Sequence, residues 1–110
     1  MRVGIGYDMH PLVPDRQLVL GGVRIPFSHG LDGDSDADVL THAVIEAVLG
    51  AAALGDMGRV FGVGLKELKG ISSITLLKRA MELLNKNGYK VVNVDATIVA
   101  EEPKLEDMII

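Results

Sequence analysis

The chain has no cysteine and no tryptophan, and only two tyrosines and two phenylalanines among its 110 residues. The lack of cysteine excludes a disulfide framework, thiolate metal ligands and a cysteine nucleophile. Because aromatic residues are scarce, leucine, isoleucine, valine and alanine must fill the core of what its length indicates is one domain. No apolar run approaches the length of a membrane span, and no signal or transit peptide is visible. We therefore expect a cytoplasmic protein rather than a plastid one.

Positive charge is also scarce, since 11 lysines and arginines stand against 15 aspartates and glutamates, a net charge of −4. A chain with no basic stripe cannot neutralise a phosphate backbone, so nucleic acid is not an expected partner. An anionic small-molecule substrate would need bound cations to invert the local field. The 13 glycines, in contrast, indicate many tight turns or close backbone approaches.

Hydrophobic periodicity predicts an α+β fold, a small mixed β-sheet with helices packed on one face. Strands are predicted at residues 2–7, 18–20, 23–25 and 89–100, and Gly21-Gly22 is predicted to form a primed turn between the second and the third. One helix is predicted to begin at a capping box formed by Ser35 and Asp38 and to stop at Gly55. The next helix runs from Ser72 or Ser73 to Lys86. Residues 27–33, 56–58 and 59–65 are predicted turns and loops.

Two of the three histidines stand in settings suited to metal binding. Asp8 and His10 are two positions apart on a strand-like segment, so their side chains point the same way. His42 lies on the first predicted helix. One carboxylate and two imidazoles are three ligands, the number that leaves a zinc ion one open position. The sequence alone does not show that residues 8–10 meet residue 42.

Other interpretations of these residues stay open. Asp38 and Glu46 flank His42 at helical spacing, so either could supply the third ligand instead of Asp8. His29 lies in a predicted loop and is interpreted as a solvated side chain. A further alternative is a small α+β domain whose histidines are merely structural.

Three motifs are highly specific in combination. They are G-x-D-x-H, S-D-x-D-x-x-x-H-A and L-G-D-x-G, and they lie within MRVGIGYDMH and LGGVRIPFSHGLDGDSDADVLTHAVIEAVLGAAALGDMGRVF, which KGISSITLLKRA and NVDATIVAEEPKL follow in register. Together these stretches resemble the 2-C-methyl-D-erythritol 2,4-cyclodiphosphate synthase family through nearly the whole chain. The resemblance implies a phosphorus-oxygen lyase of isoprenoid precursor biosynthesis by the non-mevalonate pathway. That family closes 4-diphosphocytidyl-2-C-methyl-D-erythritol 2-phosphate into the cyclic diphosphate and releases CMP.

The resemblance also implies roles for the matching residues. Asp8, His10 and His42 would hold zinc or another divalent cation, and a second cation, magnesium or manganese, would accompany the substrate. Substrate contacts would come from Asp8, His10, Ser35, Asp56, Met57, Gly58, Phe61, Ala100, Pro103, Lys104 and Leu105. Among these, Ser35 would lie in the loop beside the methylerythritol phosphate, and Asp56 and Gly58 would hold the ribose. The last four would line the cytosine pocket. The implied assembly is a homotrimer of α+β subunits with active sites between neighbours.

Three features depart from the family pattern. Asp34 stands where the family usually has a histidine thought to stabilise the transition state, and a carboxylate there would repel phosphate. Residues 62–65 replace an acidic loop, and the family continues past Ile110. We therefore expect a single domain, residues 1–110, truncated at its C-terminus. These departures raise a second hypothesis, a catalytically impaired zinc- or nucleotide-binding relative or fragment of the enzyme.

Overall fold

The computed structural model describes residues 1–33, 35–61, 72–100 and 103. Four short strands precede three helices in these ranges: β1 (Leu12–Pro14), β2 (Leu18–Leu20), β3 (Val23–Ile25), β4 (His29–Leu31), α1 (Val39–Ala51), α2 (Met57–Phe61) and α3 (Ser73–Lys86). This confirms the α+β class. The predictions for Asp34, residues 62–65, Lys104 and Leu105 lie outside the described residues. None of the helices in the described ranges is both long and apolar enough to cross a membrane.

The described strands form two antiparallel two-stranded sheets, β1 with β4 and β2 with β3, rather than the single mixed sheet predicted. The β2–β3 hairpin agrees with the prediction, and Leu20 stands opposite Val23 at its closed end. Gly21 and Gly22 have φ values of 60° and 79°. Positive φ at both central residues is what a primed turn requires, so the predicted turn chemistry is confirmed.

The β1–β4 pair corrects the prediction of a loop over residues 27–33. Leu12 stands opposite Leu31, and Pro14 stands opposite His29. A three-residue strand is too short to show the alternation that a sequence pattern detects. Gly30 added to the error because a glycine indicates a loop, whereas here it permits a close approach. A Cβ atom at Gly30 would lie 2.3 Å from the carbonyl oxygen of Gln17.

The two longest predicted strands, residues 2–7 and 89–100, are not strands in the structure. Neither segment forms a ladder with any other part of the chain that the structure describes. Both instead border a cavity of about 1240 Å³, and Val3 and Ile5 are 88% and 91% exposed. Alternation shows which residues share a face, but a strand also needs a partner for its backbone groups. The sequence pattern carries no information on that partner.

Helix α1 begins later and ends earlier than predicted. Its N-cap is Asp38, whose side chain accepts from the backbone N–H of Thr41, so the predicted pairing of Ser35 with Asp38 in a capping box is wrong. The helix ends at Ala51, and the chain then turns through Ala53, at a φ of 55°. A second short helix, α2, follows where a turn and a loop were predicted.

Helix α3 follows its prediction closely, with Ser72 as N-cap and its end at Lys86. Its buried residues are Ser73, Leu76, Ala80 and Leu84. Leu76 and Ala80 pack against Ile45 and Leu49 of α1, which are both fully buried. A second cluster, Leu18, Leu20, Ile25, Leu31 and Ala37, joins the strands to the segment before α1. Packing of α1 between these clusters fixes the position of His42.

Candidate metal centre

Asp8, His10 and His42 bring one ligand atom each to within 4.8 Å of one another. The Oδ2 atom of Asp8 lies 3.0 Å from Nε2 of His10 and 3.1 Å from Nδ1 of His42. Ligand atoms around a tetrahedral ion bound at roughly 2.1 Å stand about 3.4 Å apart, so small shifts would suffice to hold one. One carboxylate and two imidazoles form a donor set that suits a divalent transition metal. The three residues therefore fit such an ion.

The contact of residues 8–10 with His42 depends on two glycines. A Cβ atom on Gly6 would lie 1.8 Å from the carbonyl oxygen of Ala43, and one on Gly4 would lie 2.0 Å from that of Ala47. The N-terminal segment thus lies with its backbone directly against the backbone of α1, at a distance that only glycine permits. This contact brings Asp8 beside His42, a proximity that the sequence alone does not show.

His42 is held from both sides of its ring. Its Nδ1 faces Asp8, and its Nε2 lies 2.6 Å from Oγ of Ser73 and 3.2 Å from Oγ of Ser35. Ser73 is fully buried at the start of α3. Its backbone N–H donates to Oδ2 of Asp36 at 2.9 Å, and its hydroxyl contacts Oδ1 of the same carboxylate. Sequence reasoning gave Ser73 only a place at the start of a helix.

Asp38 is not a metal ligand, because its carboxylate is fully buried and fully engaged elsewhere. Oδ1 accepts from the backbone N–H groups of Gly21 at 2.8 Å and Thr41 at 3.1 Å. Oδ2 accepts from the N–H of Gly22 at 2.7 Å and from the Thr41 hydroxyl at 2.8 Å. Asp38 therefore ties the β2–β3 turn to the start of α1.

The remaining candidates also lie away from the cluster. Glu46 accepts from the backbone N–H of Met57 at 2.9 Å, so the alternative that made it a ligand is wrong. His29 is in β4 rather than a loop, and its Nδ1 lies 2.7 Å from Oγ of Ser28. Asp56 accepts from the N–H of Arg59 at 2.8 Å and so caps α2.

The cluster opens onto the cavity of about 1240 Å³ between the N-terminal segment and residues 94–100. Asp8 and His10 line one part of it, and Ala100 and Pro103 line another. The sequence assigned residues of both groups to the substrate, and the structure brings them to one cavity. The other described residues assigned to the substrate do not line it: Ser35, Asp56, Met57, Gly58 and Phe61.

These features define an α+β protein with a candidate mononuclear metal centre at the edge of a large cavity. Comparison with known proteins narrows that class. The chain belongs to the YgbB family, whose profile matches residues 1–110. This match, together with the relatives described next, confirms the resemblance found in its motifs.

Curated relatives carry the name 2-C-methyl-D-erythritol 2,4-cyclodiphosphate synthase. The protein of Clostridium botulinum (strain Kyoto / Type A2) is 57% identical over 105 residues, which cover 96% of this chain and 68% of the relative. The protein of Dehalococcoides mccartyi (strain CBDB1) is 60% identical over 105 residues, which cover 96% and 67%. A solved structure of a synthase of this name, in a form bound to CDP, matches with a TM-score of 0.90 at 34% identity. That match covers 97% of this chain and 71% of the solved one.

Proposed function

We propose that this chain acts as a 2-C-methyl-D-erythritol 2,4-cyclodiphosphate synthase, with 4-diphosphocytidyl-2-C-methyl-D-erythritol 2-phosphate as its substrate. In this reaction an oxygen of the 2-phosphate forms a bond to the β-phosphorus. The bond from that phosphorus to the oxygen it shares with CMP breaks, and CMP leaves with the electron pair. The observation that carries the proposal is the convergence of Asp8, His10 and His42 beside the cavity that Asp8 and His10 line, in a chain that closely resembles enzymes of this name.

The residues of the cluster would hold the metal through Asp8 Oδ2, His10 Nε2 and His42 Nδ1. We propose zinc, since one carboxylate and two imidazoles leave a fourth position open for substrate. A bound divalent cation supplies the positive charge that neutralises and orients phosphate oxygens. The chain itself has a net charge of −4, so it would otherwise repel a substrate with three phosphates. A second cation, magnesium or manganese, would accompany the substrate.

No protein nucleophile is needed for this reaction, because both the attacking and the leaving group belong to the substrate. The contribution of the chain is positioning and charge placement. Asp8 and His10 would hold the diphosphate end at one part of the cavity. Ala100 and Pro103 would contact the cytosine at another, with Lys104 and Leu105 continuing that contact.

We further propose a homotrimer with active sites between subunits. Asp56, Gly58 and Phe61 do not line the cavity of their own chain, although the family match assigns them to the substrate. A neighbouring subunit would bring them to it. The apolar side chains of Val3, Ile5 and Tyr7 are 81–91% exposed in one chain, and an assembly would cover them.

Turnover tests the proposal directly. The purified chain is mixed with zinc, magnesium and the substrate, and the phosphorus NMR spectrum is followed for the cyclic diphosphate and CMP. We expect product from the wild type and none above background from His42→Ala. In parallel, equilibrium dialysis should show one zinc per chain in the wild type and in His29→Ala, and none in His42→Ala. Equal product formation by His42→Ala and by the wild type would contradict the proposed metal centre.

The second candidate is a metal- or nucleotide-binding relative that has lost the chemistry. Asp34 favours it, because this carboxylate stands where the family usually has a histidine. Metal binding does not separate the two candidates, whereas turnover does. A folded, zinc-loaded chain that makes no cyclic diphosphate would support the second candidate.

A further inference from the structure

We propose that Ser73 is a positioning residue that fixes His42 in the tautomer with hydrogen on Nε2 and a lone pair on Nδ1. The consequence for metal binding rests on the metal centre of the proposed function, whereas the tautomer itself does not. Three observations carry the assignment: the burial of Ser73, its contact with an acidic side chain, and its contact with His42.

The argument begins with the single hydrogen of the Ser73 hydroxyl. Two neighbours compete for it, Oδ1 of Asp36 and Nε2 of His42. An ionised carboxylate has no hydrogen to give, so it can only accept. The Ser73 hydroxyl must therefore donate to Asp36. Its oxygen is then free to accept, and the contact of 2.6 Å with His42 requires that Nε2 be the donor.

Asp36 is held as an acceptor by two further groups. Oδ2 accepts from the backbone N–H of Ser73 at 2.9 Å, and Oδ1 accepts from the backbone N–H of Asp38 at 3.1 Å. The carboxylate also lies at the first turn of α3, where the helix dipole favours negative charge. Ser73 is 0% exposed, so water does not compete for its hydroxyl. These contacts leave little freedom for the hydrogen to turn the other way.

A neutral imidazole carries one hydrogen, so Nε2–H leaves Nδ1 with a lone pair. That lone pair faces Oδ2 of Asp8 at 3.1 Å, and Nε2 of His10 approaches the same oxygen at 3.0 Å. Two acceptors so close to each other call for a cation between them. The opposite tautomer would donate from Nδ1 to Asp8, but Nε2 and Asp36 would then both need the one Ser73 hydrogen. The buried side of His42 thus prepares its open side for a metal.

Ser35 is a weaker participant on the same side. Its Oγ lies 3.2 Å from Nε2 of His42 and accepts from the N–H of Ala37, also at 3.2 Å. It can share the Nε2 hydrogen with Ser73, but it has no carboxylate behind it. The assignment therefore falls on Ser73, whose hydroxyl connects His42 to Asp36.

The test compares two neighbouring serines on one helix. Ser73→Ala removes the proposed acceptor, and Ser72→Ala removes an exposed hydroxyl that makes no side-chain cap hydrogen bond. The tautomer of His42 is read by long-range ¹⁵N–¹H NMR of the metal-free chain at about pH 8. Zinc affinity is measured by competition with a chromophoric chelator, and far-UV circular dichroism verifies the fold.

We expect the Nε2–H tautomer in the wild type and in Ser72→Ala, with equal zinc affinity. In Ser73→Ala we expect a mixture of tautomers and zinc affinity about 10–100-fold weaker, as is usual when the partner of a metal-bound histidine is lost. The Nδ1–H tautomer in the wild type would overturn the assignment, and this measurement does not depend on whether any variant folds. Wild-type zinc affinity in a folded Ser73→Ala would overturn the positioning role. A wild type with the Nε2–H tautomer that binds no zinc would refute the metal centre alone.

Discussion

The two sides of helix α1 are built in opposite ways. One side is the N-terminal turn, where the buried Asp38 accepts hydrogen bonds from Thr41 and from the β2–β3 turn. The described residues contain no buried side-chain nitrogen or oxygen without a hydrogen-bond partner. The other side is the face of α1 that carries Ala43, Ala47 and Ala51. There the N-terminal segment packs against the helix through the backbone of its glycines, and its Ile5 and Tyr7 side chains are 91% and 81% exposed.

The difference shows which part of the site one chain can complete. All three candidate ligand atoms come from this one chain, and so do the groups that orient His42. Two parts of the cavity wall, residues 4–7 and 94–100, in contrast carry apolar side chains that the described chain leaves exposed, among them Ile5, Tyr7 and Val94. Substitutions on the two sides should therefore damage different properties.

The largest loss of stability is expected at the N-terminal turn of α1, from Asp38→Asn. The amide has one accepting oxygen, so two of the four donors around Asp38 would face an NH₂ group. We expect the free energy of unfolding to fall by about 4 kcal/mol, since each unsatisfied buried donor costs about 1–3 kcal/mol. Urea unfolding followed by circular dichroism measures the change.

Asp32→Asn is the matched control for that prediction. Asp32 is 62% exposed and pairs with Arg16 at 3.6 Å, so its loss should cost at most about 0.5 kcal/mol. Equal midpoints for the two variants would show that the carboxylate of Asp38 does not join the hairpin to α1.

A somewhat smaller loss of stability is expected from Gly6→Ala, where the N-terminal segment touches the backbone of α1. The added Cβ would lie 1.8 Å from a backbone oxygen that cannot move aside, so the segment must lift from α1. We expect a loss of about 3 kcal/mol of stability, as for severe overpacking. Zinc affinity should fall by about 100-fold, because Asp8 moves away from His42. Chelator competition measures the affinity.

Gly50→Ala provides the contrast on the same helix. Apart from the adjacent residues and the backbone of α1 itself, no atom of the described residues lies within 4 Å of a Cβ placed at Gly50, and alanine favours a helix over glycine by about 1 kcal/mol. This variant should unfold at a higher urea concentration and bind zinc as the wild type does. If Gly6→Ala behaved like Gly50→Ala, the close approach of the segment to α1 would be wrong.

The smallest effect on the individual chain is expected in the exposed N-terminal segment, from Ile5→Glu. The side chain is 91% exposed, so its replacement should leave zinc affinity unchanged within about twofold. Assembly should be lost, because a charge would be placed in the proposed subunit contact. Sedimentation velocity should show a trimer for the wild type and a monomer for the variant.

Thr75→Glu introduces the same charge on the exposed face of α3 and should leave the trimer intact. A wild type that sediments as a monomer at every concentration would contradict the proposed assembly. Loss of zinc from Ile5→Glu would contradict the view that one chain completes the metal centre.

Elements with local signals were predictable from the sequence. A primed turn needs positive φ at both central residues, and Gly21-Gly22 adopts it without strain, so the hairpin was predictable from these two residues. Helix α3 has a serine before it and Gly88, at a φ of 83°, after it, so both ends were found. Asp8, His10 and His42 were predicted as candidate ligands by residue type and motif. Their meeting required a contact between residue 8 and residue 42, which only the resemblance implied.

Features that depend on distant partners were missed for the same reason. Asp38 reads as an acidic residue at a helix start, yet two of its donors lie 16 and 17 positions earlier in the chain. Ser73 reads as a possible cap, yet its partners are Asp36 and His42. The alternation of residues 89–100 predicted a strand, but no local signal states whether a neighbouring strand is present. Tertiary packing decided each of these cases.

The contact of Gly4 and Gly6 with α1 has a consequence for how the metal centre can change over evolutionary time. The spacing between Asp8 and His42 is set by peptide groups touching peptide groups, and these have the same dimensions in every sequence. Leucines and isoleucines beneath the helix can then be exchanged without altering the reach from one ligand to the next. The two glycines thus keep the distance between Asp8 and His42 constant, so that substitutions in the core need not change the geometry of the candidate metal centre.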